Sequence, residues 1–369
     1  MCGDISHLAP QAKRKKVLVA PLNWGLGHAT RCIPVIRELL QQDADVIIAS
    51  DGDALLLLKK EFPTLPFTVL PSYNIRYSSG ILMPLSMLFQ LPAMMRAIRN
   101  EHHELQSLIA ANEIDIVISD NRYGMWSTHT KSVFITHQLS IRPPDLLGFT
   151  APLFRKINFG FIRRFGCCWI PDAGGNENLS GELSHGVKTP FRVEFTGPLS
   201  RFSNEQTRED SALTYGLAVI ISGPEPQRTA FEKLMTRQLS NISTRTLLVR
   251  GTDIDHVGTR TNGHVTTVNH LSSRELQKAI NSSAIVVCRS GYSGIMDLAI
   301  LQKKAILVPT PGQTEQEYLA SYLEKKKICF SQSQHQFDLV KALEESGRYT
   351  GFNQTYPNRI SEIIRELLN

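Results

Sequence analysis

Short apolar runs alternate with segments of helical periodicity through the first half of the chain. Each apolar run is bounded by polar or turn-forming residues, which predicts buried strands. Between the runs, apolar residues recur at the spacing of one helix face. The predicted strands span residues 17–20, 46–50, 67–70, 114–119, 133–136 and 193–196, and the predicted helices span 30–40, 55–60 and 94–112. Strands separated by helices predict a parallel sheet covered on both faces.

The same alternation resumes after the polar residues 200–212, which are the predicted linker. The second set of strands spans 217–222, 246–250, 264–268, 285–288 and 305–308, its helices span 229–239, 273–280, 293–300 and 317–324, and a last helix spans 360–368. The sequence therefore predicts an α/β fold of two doubly wound Rossmann-like domains facing a cleft. The predicted division is a basic flexible tail at 1–16, domains at 17–200 and 201–350, and a terminal segment at 351–369.

Composition narrows the class of protein. The 369 residues are 42% hydrophobic and 20% charged, which is enough to form two cores. The formal net charge is +6, but Lys13, Arg14, Lys15 and Lys16 supply most of it, so no nucleic-acid groove is expected. The six cysteines are scattered without metal-ligand spacing, which fits a reducing compartment and predicts no metal site. The first sixteen residues lack the apolar core of a signal peptide, so a cytoplasmic protein is expected.

The longest uncharged stretch, from Tyr77 to Met95, has two interpretations. Two prolines and a glutamine within it disfavour a membrane-spanning helix. It is either a buried helical hairpin or an apolar patch, edged by Arg96 and Arg99, that contacts a bilayer or a lipid-linked acceptor. Under the second interpretation, residues 77–99 and the basic tail make peripheral contact with the cytoplasmic face of a membrane.

The segment 288–318 carries the strongest indication of function. A predicted strand stops at Arg289-Ser290-Gly291, and helical spacing begins at once. The free N–H groups at such a helix start, with the positive end of the helix dipole, bind phosphate oxygens. Asp297 lies two turns into that helix and is a candidate acceptor for ribose hydroxyls. After the next strand, residues 309–316 form a second polar rim, whose carboxylates and amides suit the hydroxyls of a sugar.

A glycine-rich loop opens the first long helix and ends in His28. Gly25 and Gly27 let the backbone pass close to a ligand. His28 lies at the helix start, where the dipole lowers the pKa of an imidazole and favours the neutral form that a general base requires. Asp120 ends a strand on the same rim and is the candidate partner that fixes the tautomer of His28. The alternative is that His28 only caps its helix.

Three further polar residues follow predicted strands on this rim. Asn121 and His137 are assigned to the acceptor side, with a structural role as the alternative for His137. Asp51 ends the second strand, at the place of a ribose-binding acid. Dinucleotide binding by the glycine loop therefore stays open, although Thr30 replaces the third glycine of that motif.

These motifs resemble the two-domain GT-B-fold glycosyltransferases, and family 28 most closely. The resemblance implies that Asp297 contacts the nucleotide ribose and that Gln316 and Glu317 contact the donor sugar. It implies also that the backbone of His270 and Leu271 contacts the uracil ring. The site it implies for the nucleotide sugar is Gly27, Ser222, Gly223, His270, Leu271, Arg289, Ser290, Gly291, Asp297, Gln313, Glu315, Gln316 and Glu317.

The chain departs from the family pattern at three places. At one of them, Glu317 stands where the family has a glutamine, which changes the charge near the donor sugar. The loop after the strand 217–222 contains Pro224 and Pro226, which lack N–H donors for phosphate, and Arg228 is the candidate cation that compensates. Asp297 replaces a glutamate and is shorter by one methylene group.

The resemblance implies transfer of a hexosyl or N-acetylhexosaminyl group from a UDP-sugar to an acceptor hydroxyl, with inversion and without a metal or other cofactor. His28 would be the base, and the acceptor is expected to be lipid- or polyprenyl-linked. The terminal helix is expected to cross back onto the first domain. The alternatives are a non-hydrolysing UDP-sugar epimerase of the same fold, an NAD-dependent oxidoreductase, and a non-enzymatic sugar-nucleotide or lipid-binding protein.

Overall fold

In a computed structural model that describes residues 13–73, 83–202, 213–252 and 258–369, the chain forms two seven-stranded sheets flanked by helices. All strand pairs are parallel except one antiparallel pair at the edge of the second sheet. The predicted α/β class, with two doubly wound Rossmann-like halves, is confirmed.

The first sheet belongs to the first half of the chain. Its strands are β1 (Lys16–Pro21), β2 (Asp45–Ser50), β3 (Phe67–Val69), β4 (Ile116–Asp120), β5 (Lys131–Ile135), β6 (Cys167–Ile170) and β7 (Val193–Phe195), and its helices are α1 (Leu26–Gln41), α2 (Gly52–Glu61), α3 (Met83–Asn112) and α4 (Ala151–Ile162). The order is β3-β2-β1-β4-β5-β6-β7. The chain winds one way from β1 and then returns to its other side at β4, which opens a crevice at the carboxyl ends of these two strands.

The second sheet repeats this arrangement. Its strands are β8 (Tyr215–Ile220), β9 (Thr246–Val249), β10 (Thr259–Asn262), β11 (Val265–Val268), β12 (Ser283–Cys288), β13 (Ala305–Leu307) and β14 (Phe330–Ser331). Its helices are α5 (Gln227–Leu239), α6 (Ser273–Asn281), α7 (Tyr292–Ile300), α8 (Thr314–Lys325) and α9 (Leu339–Ser346), and α10 (Ile360–Leu368) ends the chain. The order β10-β11-β9-β8-β12-β13-β14 places the corresponding crevice between β8 and β12.

The apolar runs form strands because both faces of each sheet are covered, so successive side chains are buried whichever way they point. Val17, Leu18, Val19 and Ala20 of β1 are all fully buried. The same patterning orients α1, which begins four residues before its predicted start and therefore includes His28 in its first turn.

The two halves are in direct contact. The Ser293 hydroxyl of α7 donates to the Gly27 carbonyl at 3.0 Å, and the Tyr292 hydroxyl donates to the Pro171 carbonyl at 2.9 Å. The last helix, α10, packs on α1, and the Gln42 amide donates to the Ser361 carbonyl at 2.8 Å. The last helix, which follows the second sheet in the chain, is therefore held against the first half.

Several elements differ from the sequence prediction. Helix α3 begins at Met83 and continues through Pro92, so residues 83–112 are one helix and not a hairpin. From residue 83 onward, the stretch 77–95 is therefore not a hairpin. Residues 77–82 lie outside the described part of the chain. Most of the predicted linker, residues 203–212, lies outside it as well. Five elements of the structure were not predicted from the sequence: α4, β6, β10, β14 and α9.

The basic run at the start of the described chain is matched by carboxylates. Lys13 lies 3.1 Å from Glu113, and Arg14 lies 3.4 Å from Asp43. Lys16 begins β1. Residues 13–16 are therefore attached to the first half. Neighbouring carboxylates pair with much of the positive charge that was predicted to contact a membrane. In the described ranges, no helix combines the length and the apolar character needed to cross a bilayer.

Candidate active site

His28 and Asp120 meet at the crevice of the first sheet. Gly25 adopts a left-handed conformation (φ 74°) that turns the chain from β1 into α1 and places His28 in the first helical turn. Asp120 ends β4, which pairs directly with β1. The His28 Nδ1 atom lies 2.6 Å from Asp120 Oδ1. The sequence-predicted pair is therefore brought together by the strand order.

The Asp120 carboxylate is fully buried and is held by a buried arginine. Arg31 follows His28 by one helical turn and donates to both carboxylate oxygens, from Nε and, at 2.5 Å, from Nη2. Burial would raise the pKa of Asp120, but the charges of Arg31 and His28 and their hydrogen bonds outweigh burial and hold this pKa below its usual value. Asp120 is therefore a carboxylate at neutral pH and can only accept hydrogen bonds.

This constraint sets the state of His28. Burial lowers the pKa of His28, and the nearby Arg31 charge lowers it further, against the opposing effect of Asp120. The imidazole is therefore neutral at pH 7, and the short contact with Asp120 assigns its proton to Nδ1. Nε2 then carries the lone pair, and it has no hydrogen-bond partner among the residues that the structure describes. A neutral imidazole held in this tautomer can accept a proton.

A chain of contacts continues from Arg31 into the second half. Arg31 Nη1 lies 3.0 Å from His137 Nδ1, and His137 Nε2 lies 2.8 Å from Glu315 Oε1 in the first turn of α8. The Gln138 amide donates to the other oxygen of Glu315. The His137 ring stacks on Tyr292 of α7, with ring centroids 4.1 Å apart.

His137 is thus an almost completely buried contact between the halves, and its acceptor-side role stays a prediction. Burial would raise the pKa of Glu315, but the interaction with His137 outweighs it and lowers this pKa, so Glu315 is charged at neutral pH. Asn121 has a left-handed backbone (φ 55°), and its buried side-chain oxygen has no hydrogen-bond partner among the described residues.

The candidate phosphate site lies at the start of α7. Gly291 caps this helix without a side-chain hydrogen bond, so its first-turn amides have no capping side chain. The Ser290 hydroxyl donates to the Gln316 carbonyl at 2.8 Å, which joins this turn to α8. Ser222 and Gly223 follow β8, the strand next to β12, and are exposed. The second crevice therefore brings the two predicted phosphate loops to adjacent strand ends.

The predicted sugar-binding side chains organise the rim between β13 and α8. The Gln316 side-chain oxygen accepts from the Thr310 backbone amide at 3.0 Å, and its amide lies 2.5 Å from the Gln313 side-chain oxygen. Glu317 accepts from the Gly312 backbone amide at 2.9 Å. These contacts fix the loop, and direct sugar contact by Gln313, Gln316 and Glu317 stays a prediction.

The side chain of Arg289 is not at the rim. Its guanidinium is buried, donates to the Val308 and Pro309 carbonyls at 3.2 and 3.1 Å, and lies over the Phe231 ring. Burial lowers its pKa to about 10. The sequence prediction that this segment flanks a diphosphate therefore depends on its backbone and on Ser290 rather than on the Arg289 charge.

Asp297 also has protein partners. Its carboxylate accepts from the Ser200 hydroxyl at 2.6 Å and lies 3.3 Å from Arg201 Nε, at the start of the predicted linker. Burial is the main cause that raises the pKa of Asp297. Its ribose contact stays a prediction that must be separated from this structural role. His270 and Leu271 are half-buried in the loop after β11, and burial lowers the pKa of His270.

Two buried arginines are the main residues that sequence analysis missed. Arg31 was indicated only by its spacing of three from His28, which places both side chains on one helix face. Arg122 donates to Asp51 and, at 2.6 Å, to Glu101. Asp51 is therefore held in an internal charge cluster, which removes the residue on which the dinucleotide alternative rested. In the described ranges, no three His, Cys, Asp or Glu side chains are grouped as a metal site.

Two Rossmann-like halves with a site at their junction define the GT-B fold of glycosyltransferases. The solved glycotransferase of kitacinnamycin is similar with a TM-score of 0.64, covering 97% of this chain and 100% of that chain at 13% identity. MurG of Acinetobacter baumannii is similar with a TM-score of 0.57, covering 96% of this chain and 99% of that chain at 13% identity. At such low identity these likenesses establish the fold alone.

The sequence of the second half identifies the family that the chain resembles. Residues 253–358 match the model of the glycosyltransferase family 28 C-terminal domain. The UDP-N-acetylglucosamine--N-acetylmuramyl-(pentapeptide) pyrophosphoryl-undecaprenol N-acetylglucosamine transferase of Histophilus somni (strain 129Pt) is 23% identical over 350 residues, or 89% of this chain and 88% of the relative. The predicted resemblance to family 28 is confirmed, and the chain is a glycosyltransferase whose residues 253–358 match the C-terminal domain model of that family.

Replacing Arg31 with Met should strongly destabilise the protein. The substitution leaves the Asp120 carboxylate buried without its cation, and breaking such a pair costs about 3–5 kcal/mol. Urea unfolding measures this loss. Arg37→Met is the matched control on the same helix, because the Arg37 side chain is 42% exposed and pairs with Glu61. The loss there should be about 1 kcal/mol or less, and equal losses in both variants would contradict the assigned role of Arg31.

Proposed function

We propose that the protein transfers a hexosyl or N-acetylhexosaminyl group from a UDP-sugar to an acceptor hydroxyl, with inversion and without a metal ion. The observation that carries the proposal is the position of the His28 imidazole, which lies 2.6 Å from Asp120 and beside the start of α7. The hydrogen bond from the Ser293 hydroxyl to the Gly27 carbonyl joins the loop that leads into His28, here called the base loop (residues 22–28), to the candidate phosphate site.

The chemical step uses His28 as the base. Nε2 takes the acceptor proton as the acceptor oxygen bonds to the anomeric carbon, and the bond from that carbon to the diphosphate breaks with its electron pair on UDP. Asp120 stabilises the imidazolium that forms, since it is a carboxylate 2.6 Å from Nδ1. The first-turn amides of α7 stabilise the charge on the leaving diphosphate.

Inversion of configuration at the anomeric carbon follows if the acceptor oxygen displaces the diphosphate in a single step. A retaining enzyme of the two-step kind needs a nucleophile that reaches the anomeric carbon. Asp120 is fully buried and bonded to His28 and Arg31, and Glu315 is bonded to His137 and Gln138. Neither carboxylate is free to act as a nucleophile, which supports a single displacement with His28 as the base.

The donor and acceptor classes rest on similarity. The Histophilus relative is named for UDP-N-acetylglucosamine as donor and for a pyrophosphoryl-undecaprenol acceptor. This supports a UDP-sugar donor and a lipid-linked acceptor for this chain. A lipid-linked acceptor in turn favours a cytoplasmic protein at the membrane face, with Arg96 and Arg99 exposed on α3 as candidate contacts. The epimerase alternative is not favoured, because the family match and the named relatives are glycosyltransferases.

Replacing His28 with Ala should lower kcat by about 10²–10⁴-fold, because the base is lost. Affinity for UDP, measured by calorimetry, should change by no more than about twofold. His129→Ala is the control, since His129 is an exposed histidine of the same half. Parallel loss of transfer and UDP binding would overturn the assignment of His28 as a base, and undiminished transfer would overturn the proposed mechanism.

The pH profile should have its acid limb below pH 6.5. Transfer requires neutral His28, so kcat/KM rises as pH increases through the pKa of His28 and is level above it. This pKa is lowered from its ordinary value of 6.5 by burial and by Arg31. Steady-state rates from acid to neutral pH, on protein shown to be folded, measure the limb. An acid limb centred above pH 6.5 contradicts the assignment.

Replacing Asp297 with Ala should weaken UDP binding by about 10–100-fold if the carboxylate contacts the ribose, because a hydrogen bond to a charged group is lost. Calorimetry measures the affinity. Ser200→Ala separates the two roles of Asp297, since it removes the protein partner at 2.6 Å and keeps the carboxylate. If both variants lose stability and neither loses UDP affinity, Asp297 has no place in the ribose site.

A further inference from the structure

Two helix starts converge at the crevice of the second sheet. Strands β8 and β12 are neighbours, with Ile220 paired to Cys288, so the loops that lead into α5 and α7 leave adjacent strand ends. The Arg289 side chain joins these loops, because it follows β12 and donates to the Gln227 carbonyl in the first turn of α5 at 3.1 Å. A diphosphate bound at the start of α7 would therefore lie close to the start of α5 as well.

The start of α5 is occupied by a carboxylate of the protein itself. Glu225 lies just before this helix and accepts from the Thr229 backbone amide at 3.2 Å and from the Thr229 hydroxyl at 2.9 Å. The Arg228 backbone amide donates to the Pro224 carbonyl at 3.0 Å. Two of the amides that a phosphate could bind at this helix start therefore already have partners within the chain.

Glu225 also holds the cation of this segment. Arg228 donates from Nε to Glu225 at 2.6 Å and from Nη1 to Glu232 at 2.8 Å. Sequence analysis predicts Arg228 as the cation that compensates for the two prolines of the loop, but its guanidinium is already paired with two carboxylates. Hydrogen bonds from Thr229 and Arg228 lower the pKa of Glu225, so this side chain is charged at neutral pH.

The contacts of Glu225 are those of a bound phosphate. Its oxygens accept from a helix amide, a hydroxyl and a guanidinium, which are the donors that bind phosphate groups in proteins. Its side chain is 56% exposed, so it can leave this position without opening the core. A Cβ atom added to Gly223, in the same loop, would meet no described residue within 4 Å beyond its chain neighbours, so the loop borders open space.

We propose that Glu225 is a specificity-determining residue that weakens the binding of the terminal phosphate of a nucleoside diphosphate. Its carboxylate occupies both the start of α5 and Arg228, which would otherwise bind that phosphate. UDP carries about one more negative charge than the sugar nucleotide from which it forms, because the freed phosphate has a second ionisation at about pH 6. Glu225 therefore disfavours the product more than the donor and promotes release of UDP. The inference rests on the proposed function, which puts the diphosphate of a UDP-sugar at the start of α7.

Calorimetry on the full chain with uridine, UMP, UDP and inorganic pyrophosphate tests the proposal. Glu225→Gln should tighten the binding of UDP and of pyrophosphate by about tenfold, since a charge-assisted hydrogen bond from Arg228 becomes available to the ligand. The affinities for uridine and UMP should change by no more than about twofold, because neither has a terminal phosphate beyond the first. In steady-state assays, the inhibition constant of the UDP product should fall by the same factor as its dissociation constant.

Glu362→Gln is the matched control. The Glu362 side chain has the same exposed fraction, 56%, and pairs with Arg359 at the same spacing of three residues. It lies on α10, which packs on the first half, so this variant changes the net charge equally and should bind all four ligands as wild type does. Arg228→Gln tests the cation. Alone, it should change UDP affinity by no more than about twofold, because Arg228 is already paired, and combined with Glu225→Gln it should remove the gain.

Equal UDP affinity in Glu225→Gln and wild type would overturn the proposal. So would an equal gain in Glu362→Gln, which would reflect net charge alone, or a large loss in Arg228→Gln alone, since Arg228 would then already bind the phosphate. Pyrophosphate binding that responds to Glu225→Gln without any binding of UDP would refute the UDP-sugar donor alone. Binding of UDP with sugar transfer, but without a response to Glu225→Gln, would refute the role of Glu225 alone. Absence of binding by both ligands in both proteins would refute both.

Discussion

The burial of the Asp120 carboxylate is the constraint on which the site depends. A charge removed from water is tolerated only when cations and donors surround it. Arg31 supplies both, and the geometry of its guanidinium then reaches His28 on one side and His137 on the other. One internal ion pair thus fixes the tautomer of an imidazole at the surface of the crevice and extends through His137 to Glu315 of the other half.

The strand order explains why these groups meet. In each sheet the winding direction reverses once, between β1 and β4 in the first half and between β8 and β12 in the second. Loops diverge at such a reversal, which leaves room for polar groups at the strand ends. The first reversal holds the base and its carboxylate, and the second holds the amide-rich start of α7. Because α1 and α7 are in contact, the two reversals face each other.

Sequence patterns predicted those features that depend on local order. Buried parallel strands appear as short apolar runs, and the loops after them carry the polar residues, so the sequence alone predicts the pairing of His28 with Asp120. The sequence pattern did not predict side-chain positions that are set by contacts between residues far apart in the chain. Nothing in the local sequence indicates that Arg289 turns inward over Phe231, or that Asp297 binds Ser200. Helix α4 was missed because its outer face is apolar as well, which hides the alternation of polar and apolar positions.

The direct bonds between the halves have a consequence for measured affinities. Ser293 occupies the Gly27 carbonyl, and His137 and Gln138 occupy Glu315. A molecule that inserts between the base loop and α7 would displace these contacts, so it would bind the open form in which they are broken. Its apparent dissociation constant is the intrinsic constant divided by the fraction of chains in that open form. A substitution that loosens the junction can therefore tighten apparent binding without adding a single contact to the bound molecule.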